Sequence, residues 1–137
     1  MNAKEIASNQ LPIDEGIRYK PYKDTIGKLT IGVGRNLDDR GLRPAEVELM
    51  LKNDIDEAEN IAKKLVPAYD KLSESRKAVL INMAFNLGET RLAGFKNTLK
   101  FINSGDYVQA AKNMRDSLWY KQVGARAERL AKVMENG

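Results

Sequence analysis

The sequence contains neither cysteine nor histidine. Without cysteine it forms no disulfide, so packing alone must hold the fold together. The two absences also exclude Ser-His-Asp and Cys-His catalysis, as well as zinc sites built on Cys or His ligands. Any catalysis must therefore use carboxylates, Lys, Tyr, Ser/Thr hydroxyls or a borrowed cofactor.

Long apolar runs are also absent, and none reaches the roughly 18 residues of a membrane-spanning helix. The first residues are polar and lack the apolar core of a signal peptide, so we expect the product to start in the cytoplasm. Lys and Arg number 23 against 19 Asp and Glu, which leaves a net charge of +4. This surplus favours anionic partners such as nucleic acid, acidic lipid or cell-wall polymer, and does not choose among them.

The first third of the chain combines a helix with a hairpin. Residues 3–15 are expected to be helical, interrupted or kinked at Pro12, which lacks an amide proton. Residues 17–36 are rich in β-formers around a turn at 24–27, which predicts a β-hairpin. Gly32 and Gly34 bracket its end, where the backbone must bend or allow a close approach.

The remainder has helical periodicity. Residues 44–65 carry one apolar stripe, with Pro44 suited to the first helical position. Residues 78–87 are apolar nearly all round, which predicts a buried central helix ended by Gly88. The residues of the stripe in 44–65 are Val47, Leu51, Ile55, Ala58, Ala62 and Leu65. Asp106 and Gln109 resemble a capping box, which predicts a helix over residues 107–115. A last helix is predicted over residues 125–135, with Ala127, Leu130, Ala131 and Met134 facing inward.

These elements predict an α+β, mostly helical single domain over residues 1–137. A small lobe (1–43) would hold the first helix and the hairpin, a long helix (44–65) would connect the lobes, and 66–137 would form a helical lobe. The cleft between lobes is the expected place for a substrate.

Two of the 19 acids stand apart from the solvated helix faces. Glu15 lies where the first helix ends against Gly16, and Asp24 lies at the hairpin turn. Two carboxyl groups in different environments are what glycoside hydrolysis requires: a protonated acid and an ionised partner. Helix ends and turns also carry acids as ordinary caps, and the spacing by itself leaves both interpretations open.

Other candidates have simpler structural explanations. The pair Gly32 and Gly34 is too short for a nucleotide-binding fingerprint. The single Trp119 is expected to anchor the helical lobe, and Phe85 is expected in the core with an edge available to the cleft. Dispersed basic residues give no support to nucleic-acid binding.

Several runs nevertheless resemble the phage-type lysozymes, the endolysin family of the T-even bacteriophages. The resemblance covers most of the chain in order. It is carried by residues 13–18 (IDEGIR), 22–25 (YKDT), 29–34 (LTIGVG), 80–85 (LINMAF), 88–90 (GET), 93–95 (AGF) and 117–120 (SLWY).

The resemblance implies a lysozyme-like fold and an endo-acting muramidase. Such enzymes cut the β-1,4 bond between N-acetylmuramic acid and N-acetylglucosamine in peptidoglycan, with inversion at the anomeric carbon. Glu15 matches the family's general acid, which must remain protonated and is expected to be partly buried. Asp24 matches its second carboxylate. Thr30 matches the threonine that helps hold the attacking water.

The resemblance also assigns supporting and binding residues. Arg126 matches an arginine that approaches and orients the acid. Arg35 stands where many relatives have histidine, and it is expected to form an ion pair with Asp54. The expected sugar contacts are Asn36, Phe85, Thr98 and Asn113, of which Thr98 replaces a serine and Asn36 an apolar residue.

The expected partner is the peptidoglycan glycan strand, with no cofactor, no metal and no nucleic acid, and the protein is expected to be a monomer. A phage endolysin of this kind waits in the host cytoplasm until a holin releases it to the cell wall. Two alternatives remain: a weak or inactive lysozyme-like binding domain, which the joint presence of Glu15, Asp24 and Thr30 disfavours, and a small basic nucleic-acid-binding or regulatory protein.

Overall fold

Helices dominate the computed structural model, which describes every residue from Met1 to Gly137. Seven α helices and one three-stranded antiparallel sheet confirm the expected mostly helical α+β class. The chain forms two compact units, Met1–Leu49 (the first unit) and Met50–Gly137 (the second unit). None of the helices combines the length and the apolar character needed to cross a membrane.

The first unit begins with helix α1, Ala3–Glu15. Its start is capped by Asn2, whose side chain accepts a hydrogen bond from the Glu5 amide. The expected interruption at Pro12 is not seen as a break, since the helix continues for another three residues. It ends because Gly16 adopts φ 79°, a left-handed value that favours glycine, while its N–H donates to the Pro12 carbonyl.

The sheet of the first unit contains the expected hairpin and one further strand. Strand β1 (Arg18–Lys23) pairs antiparallel with β2 (Leu29–Gly32), which pairs in turn with β3 (Arg35–Asn36). The register is irregular between Arg18 and Tyr22, where Pro21 has no N–H to donate to the ladder. The hairpin prediction is confirmed, and the two-residue third strand was not predicted.

Helix α2 (Pro44–Leu65) confirms the predicted bounds and runs from the first unit into the second. Its predicted apolar stripe is buried only in the C-terminal half, at Ala58 and Ala62. The stripe residues nearer its start are 40–51% exposed; they are Val47, Leu51 and Ile55. The expectation of one continuous stripe is therefore correct only for the second half.

Five more helices complete the second unit, joined to α2 through a 3-10 turn at Tyr69–Lys71. They are α3 (Glu74–Ala93), α4 (Lys96–Ser104), α5 (Tyr107–Arg115), α6 (Leu118–Val123) and α7 (Ala125–Asn136). The predicted helices at 107–115 and 125–135 are confirmed, and the Asp106 side chain caps the Gln109 amide. Helices α4 and α6 were not predicted.

Gly88 interrupts α3 where the sequence predicted its end. The glycine adopts φ 78° and ψ 172°, which is outside the helical region, and the helix resumes after it. The apolar run before Gly88 is the buried central segment, as expected. It contributes Val79, Leu80, Met83, Ala84 and Leu87 to the core.

All 20 buried hydrophobic residues lie between Ala58 and Met134, inside the second unit. Trp119 anchors this core as predicted: it is 3% exposed, donates its Nε1–H to Asn86 Oδ1 at 2.9 Å and meets the Phe95 ring edge-on. In the first unit only Thr30 is buried. The first unit is therefore held by backbone ladders, turns and caps far more than by apolar burial.

Candidate active site

Glu15 is the last residue of α1, and its carboxylate lies against the backbone of Gly34. A Cβ placed on Gly34 would come within 3.2 Å of Glu15 Oε2. Gly34 has φ +67°, so glycine is favoured there by backbone conformation as well as by space. The predicted close approach at this glycine is confirmed. Glu15 itself is exposed, so the expectation of partial burial is wrong for this structure.

Asp24 is held by the turn that follows β1. Its Oδ1 accepts hydrogen bonds from the amides of Ile26 at 3.0 Å and Lys28 at 2.9 Å. The other carboxylate oxygen has no partner in the protein and remains available to water. An aspartate that binds backbone amides two and four residues ahead fixes both the turn and its own direction.

Thr30 is buried in the sheet, opposite Tyr22 on one side and Asn36 on the other. Its hydroxyl donates to the Lys28 carbonyl at 2.9 Å, which leaves the oxygen lone pairs as acceptors. Lys28 thus binds both site residues, with its N–H on Asp24 and its carbonyl on Thr30. This shared backbone fixes Asp24 and Thr30 relative to each other.

Asn36 uses both ends of its amide inside the first unit. Its Nδ2 donates to Asp39 Oδ2 at 3.0 Å, and its Oδ1 accepts from the Asp39 amide at 2.9 Å. A sugar contact by this side chain would have to compete with the Asp39 bonds. The local geometry of Asn36 therefore does not support the role in sugar binding that the resemblance suggested for it.

Arg35 has a different partner from the expected Asp54. Both terminal nitrogens of its guanidinium bind the Glu46 carboxylate, each at 2.7 Å. Glu46 is in the first turn of α2 and also accepts the Arg43 amide, which holds its carboxylate in place for Arg35. The hydrogen bonds from Arg35 and from the Arg43 amide lower the pKa of Glu46 to about 2. The predicted Arg35–Asp54 pair is wrong.

Phe85 and Arg126 meet in a pocket of about 290 Å³ within the second unit. Arg126 donates from Nε and Nη2 to Asn82 Oδ1, at 3.1 and 2.6 Å, so Asn82 orients the guanidinium. Phe85 is 48% exposed, and its predicted place in the core is wrong. The same ring also lines a neighbouring depression that contains Asp54.

Thr98 and Asn113 line one groove of about 630 Å³ in the second unit, together with Trp119. Asn113 donates its Nδ2–H to the Gln109 carbonyl at 2.8 Å, which leaves Oδ1 free to accept a hydrogen bond. Two of the residues proposed as sugar contacts are therefore neighbours. The basic residues of this groove, Arg91 and Lys96, were not singled out from the sequence, because isolated cations on helices are common.

Proteins with similar sequences identify the family. The phage lysozyme family pattern matches residues 13–134. The chain is 30% identical to "Probable T4-type lysozyme 1" of Dictyostelium discoideum, over 94% of this chain and 93% of that protein. It is 35% identical to the SAR-endolysin of Escherichia phage Mu, over 73% of this chain and 58% of that protein. It is 30% identical to the pre-baseplate central spike protein Gp5 of Enterobacteria phage T4, over 90% of this chain and 26% of that protein.

Glycoside hydrolysis uses two carboxyl groups. The first unit contains Glu15 at the end of α1 and Asp24 in the turn of the hairpin. The match to the family pattern spans most of the chain and includes Glu15, Asp24 and Thr30. The chain belongs to the phage lysozyme family and is a glycoside hydrolase of the lysozyme type.

Proposed function

We propose that the protein is an endolysin-type muramidase. It hydrolyses the β-1,4 bond between N-acetylmuramic acid and N-acetylglucosamine in peptidoglycan, with inversion at the anomeric carbon. The observation that carries this proposal is the way the Lys28 backbone fixes Asp24 to Thr30 on the hairpin that follows Glu15. This arrangement combines two carboxylates with a hydroxyl that accepts hydrogen bonds.

Glu15 is proposed as the general acid. It would give its proton to the glycosidic oxygen as the bond to the anomeric carbon breaks, so that the leaving sugar departs as a neutral alcohol. Gly34 leaves room for the carboxylate because it has no Cβ. Positive charge then develops on the remaining sugar ring.

Asp24 and Thr30 are proposed to hold the attacking water. As the water oxygen bonds to the anomeric carbon, the free carboxylate oxygen of Asp24 would take one proton from this water. The Thr30 oxygen, whose own proton is engaged with Lys28, would accept a hydrogen bond from the other water proton. The negative charge of Asp24 also stabilises the oxocarbenium-like transition state. Inverting enzymes need carboxyl groups about 6.5–9.5 Å apart to admit this water.

Glycan binding is proposed for Phe85, Thr98 and Asn113 in the second unit. The half-exposed Phe85 ring offers an apolar face for a sugar, while Thr98 and Asn113 offer hydrogen-bonding groups on one groove wall. Asn36 is the weaker candidate, since Asp39 already occupies its amide.

The test is hydrolysis of purified cell walls, measured as turbidity loss and as new reducing ends. Replacing Glu15 with Gln (E15Q) removes the proton donor and should lower the rate about 100-fold or more. Glu5→Gln is the matched control, because Glu5 is an acid of the same helix and its side chain makes no hydrogen bond. Undiminished lysis by E15Q would overturn the acid assignment, and no lysis by the parent protein would favour a binding domain.

The stereochemistry has its own readout. Proton NMR of the reducing ends formed in the first minutes should show the α anomer, because inversion at a β-linked carbon gives an α hemiacetal. An initial β anomer would indicate retention and would contradict the role given to water beside Asp24.

The proposed place of action is the cell wall of a bacterial host, after synthesis in its cytoplasm and release by a holin. The protein would act there as a monomer on an anionic polymer. Expressed inside bacteria, it should cause lysis only after the membrane has been permeabilised. Lysis without any permeabilising agent would contradict the holin requirement.

A further inference from the structure

Tyr22 is the one residue of β1 that is turned away from solvent. It is half-buried, whereas the other residues of this strand are all exposed. Tyr22 lies directly opposite Thr30 in the sheet. Side chains at opposite positions of an antiparallel pair share a face, with their Cβ atoms about 5 Å apart. Tyr22 is therefore an immediate neighbour of the only buried residue of the first unit.

Thr30 has a second neighbour in the same row of the sheet. Asn36 pairs with it from β3, and both ends of the Asn36 amide are bound to Asp39. The Thr30 hydroxyl is thus flanked by a fixed amide on one side and by the Tyr22 side chain on the other. Because Thr30 is only 3% exposed between these neighbours, its oxygen is reached through a narrow opening.

The Tyr22 ring is covered in turn by Arg18. The guanidinium carbon lies 4.9 Å from the ring centroid, which is the geometry of a cation–π contact. Arg18 makes no ion pair with any acid of the chain. The ladder between Arg18 and Tyr22 is irregular, and an irregularity of this kind bends a strand and redirects its side chains. The cation therefore holds the ring in place.

We propose that Tyr22 and Arg18 are positioning residues that shape the water site at Thr30. The Tyr22 ring forms the side wall of this site, and Arg18 acts through the ring by fixing its orientation. The inference rests on the hydrolysis proposed above and adds that the wall admits water and excludes larger nucleophiles. Such placement of a reactant contributes orders of magnitude to a rate.

Methanol tests the wall because it can react as water does but carries an additional methyl group. Its oxygen would bond to the anomeric carbon of N-acetylmuramic acid while the bond to the leaving sugar breaks. Glu15 would give its proton to the leaving oxygen, and Asp24 would take the hydroxyl proton of methanol. The product is a methyl α-glycoside, which mass spectrometry distinguishes from the hydrolysis product.

Tyr22→Leu removes the ring. On soluble glycan strands, kcat should fall about tenfold or more while KM stays within about twofold of the parent value. In methanol–water mixtures the ratio of methyl glycoside to hydrolysis product should rise severalfold. Tyr22→Phe restores the ring and should recover most of the rate and the preference for water. The matched control is Tyr19→Leu, at an 88% exposed position of the same strand, which should react as the parent does.

Arg18→Gln keeps the ring and removes the cation above it. This change at an exposed position should lower kcat about threefold and raise the share of methyl glycoside. Lys20→Gln is its control, since Lys20 is an exposed cation of the same strand that makes no ion pair. In the Tyr22→Leu background Arg18→Gln should add nothing, because Arg18 acts through the ring.

A lowered rate with an unchanged ratio of methyl glycoside to hydrolysis product would overturn the proposal, since a merely structural role does not alter the choice of nucleophile. Equal losses in Tyr22→Leu and Tyr19→Leu would overturn it as well, and additive effects of Arg18→Gln and Tyr22→Leu would reject the role of Arg18. Thermal unfolding checks that each variant is folded, and Arg18→Gln tests the wall even where Tyr22→Leu does not fold.

Failure of the hydrolase assignment has a separate readout. A parent protein that releases no reducing ends from cell walls would refute the muramidase and the water site together. A parent protein that hydrolyses walls, combined with an unchanged product ratio in Tyr22→Leu, would refute only the role given to Tyr22.

Discussion

The Glu15 carboxylate occupies the space where a side chain at Gly34 would lie, since a Cβ placed on Gly34 would come within 3.2 Å of Glu15 Oε2. Gly34 lies in the turn between β2 and β3, so this approach brings the end of α1 beside that turn of the sheet. The Glu15 carboxylate can therefore hold this position only because Gly34 has no side chain.

Gly34→Ala should therefore lower kcat strongly and the free energy of unfolding only modestly. The left-handed backbone at φ +67° makes alanine unfavourable by about 1–2 kcal/mol. The added methyl group must also push the Glu15 carboxylate away, and a catalytic group displaced by about 1 Å can lose about 100-fold in rate. We expect kcat to fall at least about tenfold, measured by reducing ends released from cell walls.

Gly32→Ala is the control for this change. Gly32 has φ +68°, nearly the same value, but nothing lies within 4 Å of its added Cβ. Its unfolding free energy should fall by a similar amount while kcat stays near that of the parent protein. Equal loss of kcat in the two variants would show that backbone strain, and not the Glu15 contact, is responsible.

Thr30→Val tests whether the hydroxyl has a role beyond the sheet. The Lys28 carbonyl would still accept the Asp24 amide at 2.9 Å, so the loss of one hydrogen bond should cost only about 1 kcal/mol. The proposed acceptor for water would disappear, and kcat should fall strongly. Thr30→Ser restores an oxygen and should recover most of the rate, as measured on the same walls. A Val variant with unchanged kcat would reduce Thr30 to a structural role.

Sequence periodicity predicted the helices that have strong local signals. Pro44 and the stripe behind it gave the bounds of α2, and the Asp106 cap gave the start of α5. The short strand β3 and the short helix α6 were missed, because two and six residues leave too little pattern to recognise. The sequence predicts a helix end at Gly88, because glycine usually has that role, but the chain resumes its helix after this residue.

The site residues were likewise predictable only where the sequence carries a local signal. Glu15, Asp24 and Thr30 were reached from the sequence by their types and by the resemblance. The sequence did not predict that Asp24 and Thr30 are linked through hydrogen bonds to the backbone of Lys28, because backbone groups have no sequence signature. Arg35 was correctly expected to bind an acid. Its partner was missed because the choice among acids depends on the first turn of α2, where the Arg43 amide orients Glu46.

The Arg35–Glu46 pair should stabilise the fold at neutral pH and lose this effect in acid. The pKa of Glu46 falls from its ordinary 4.5 to about 2 through the hydrogen bonds from Arg35 and the Arg43 amide. A carboxyl with a lowered folded-state pKa contributes stability above its unfolded value and loses it as pH falls through the folded value. Glu46→Gln should therefore lower the urea midpoint at pH 7, and the gap should narrow between about pH 4.5 and 2.

Glu48→Gln serves as the reference for this pair, since Glu48 is an exposed acid on the same helix that makes no ion pair. Its urea midpoint should match the parent protein at both pH 7 and pH 3. A Glu46→Gln gap that stays constant over this range would show that the charge of Glu46 contributes nothing to stability.

Arg35→His should move the pH dependence into the neutral range. Histidine has an ordinary pKa of about 6.5, and the Glu46 carboxylate would raise it in the folded state. A raised pKa contributes stability that is complete below the unfolded value and is lost as pH rises through the folded value. The variant should therefore be more stable at pH 5 than at pH 8, relative to the parent. A parallel pH profile, measured by urea unfolding, would contradict the pairing.

The two units should open with different free energies. All 20 buried hydrophobic residues lie in the second unit, whereas Thr30 is the only buried residue of Met1–Leu49. Regions with little apolar burial exchange their amide hydrogens through local opening well below the global unfolding free energy. Native-state hydrogen exchange of the full chain, followed by mass spectrometry, should show the slowest amides in α3, α5 and α7 and faster exchange throughout the sheet.

A pair of leucine substitutions makes this expectation specific. Leu80→Ala removes a fully buried side chain and should lower the protection of the second unit by about 2–5 kcal/mol. Leu118→Ala removes a side chain that is 68% exposed and should change protection by less than about 0.5 kcal/mol. Because the amides of the first unit already exchange through local opening, Leu80→Ala should increase their exchange rates less than it increases those of the α3 amides. Equal slowing of exchange in the sheet and in α3 in the parent protein would mean that the units unfold only together, whatever the distribution of apolar burial.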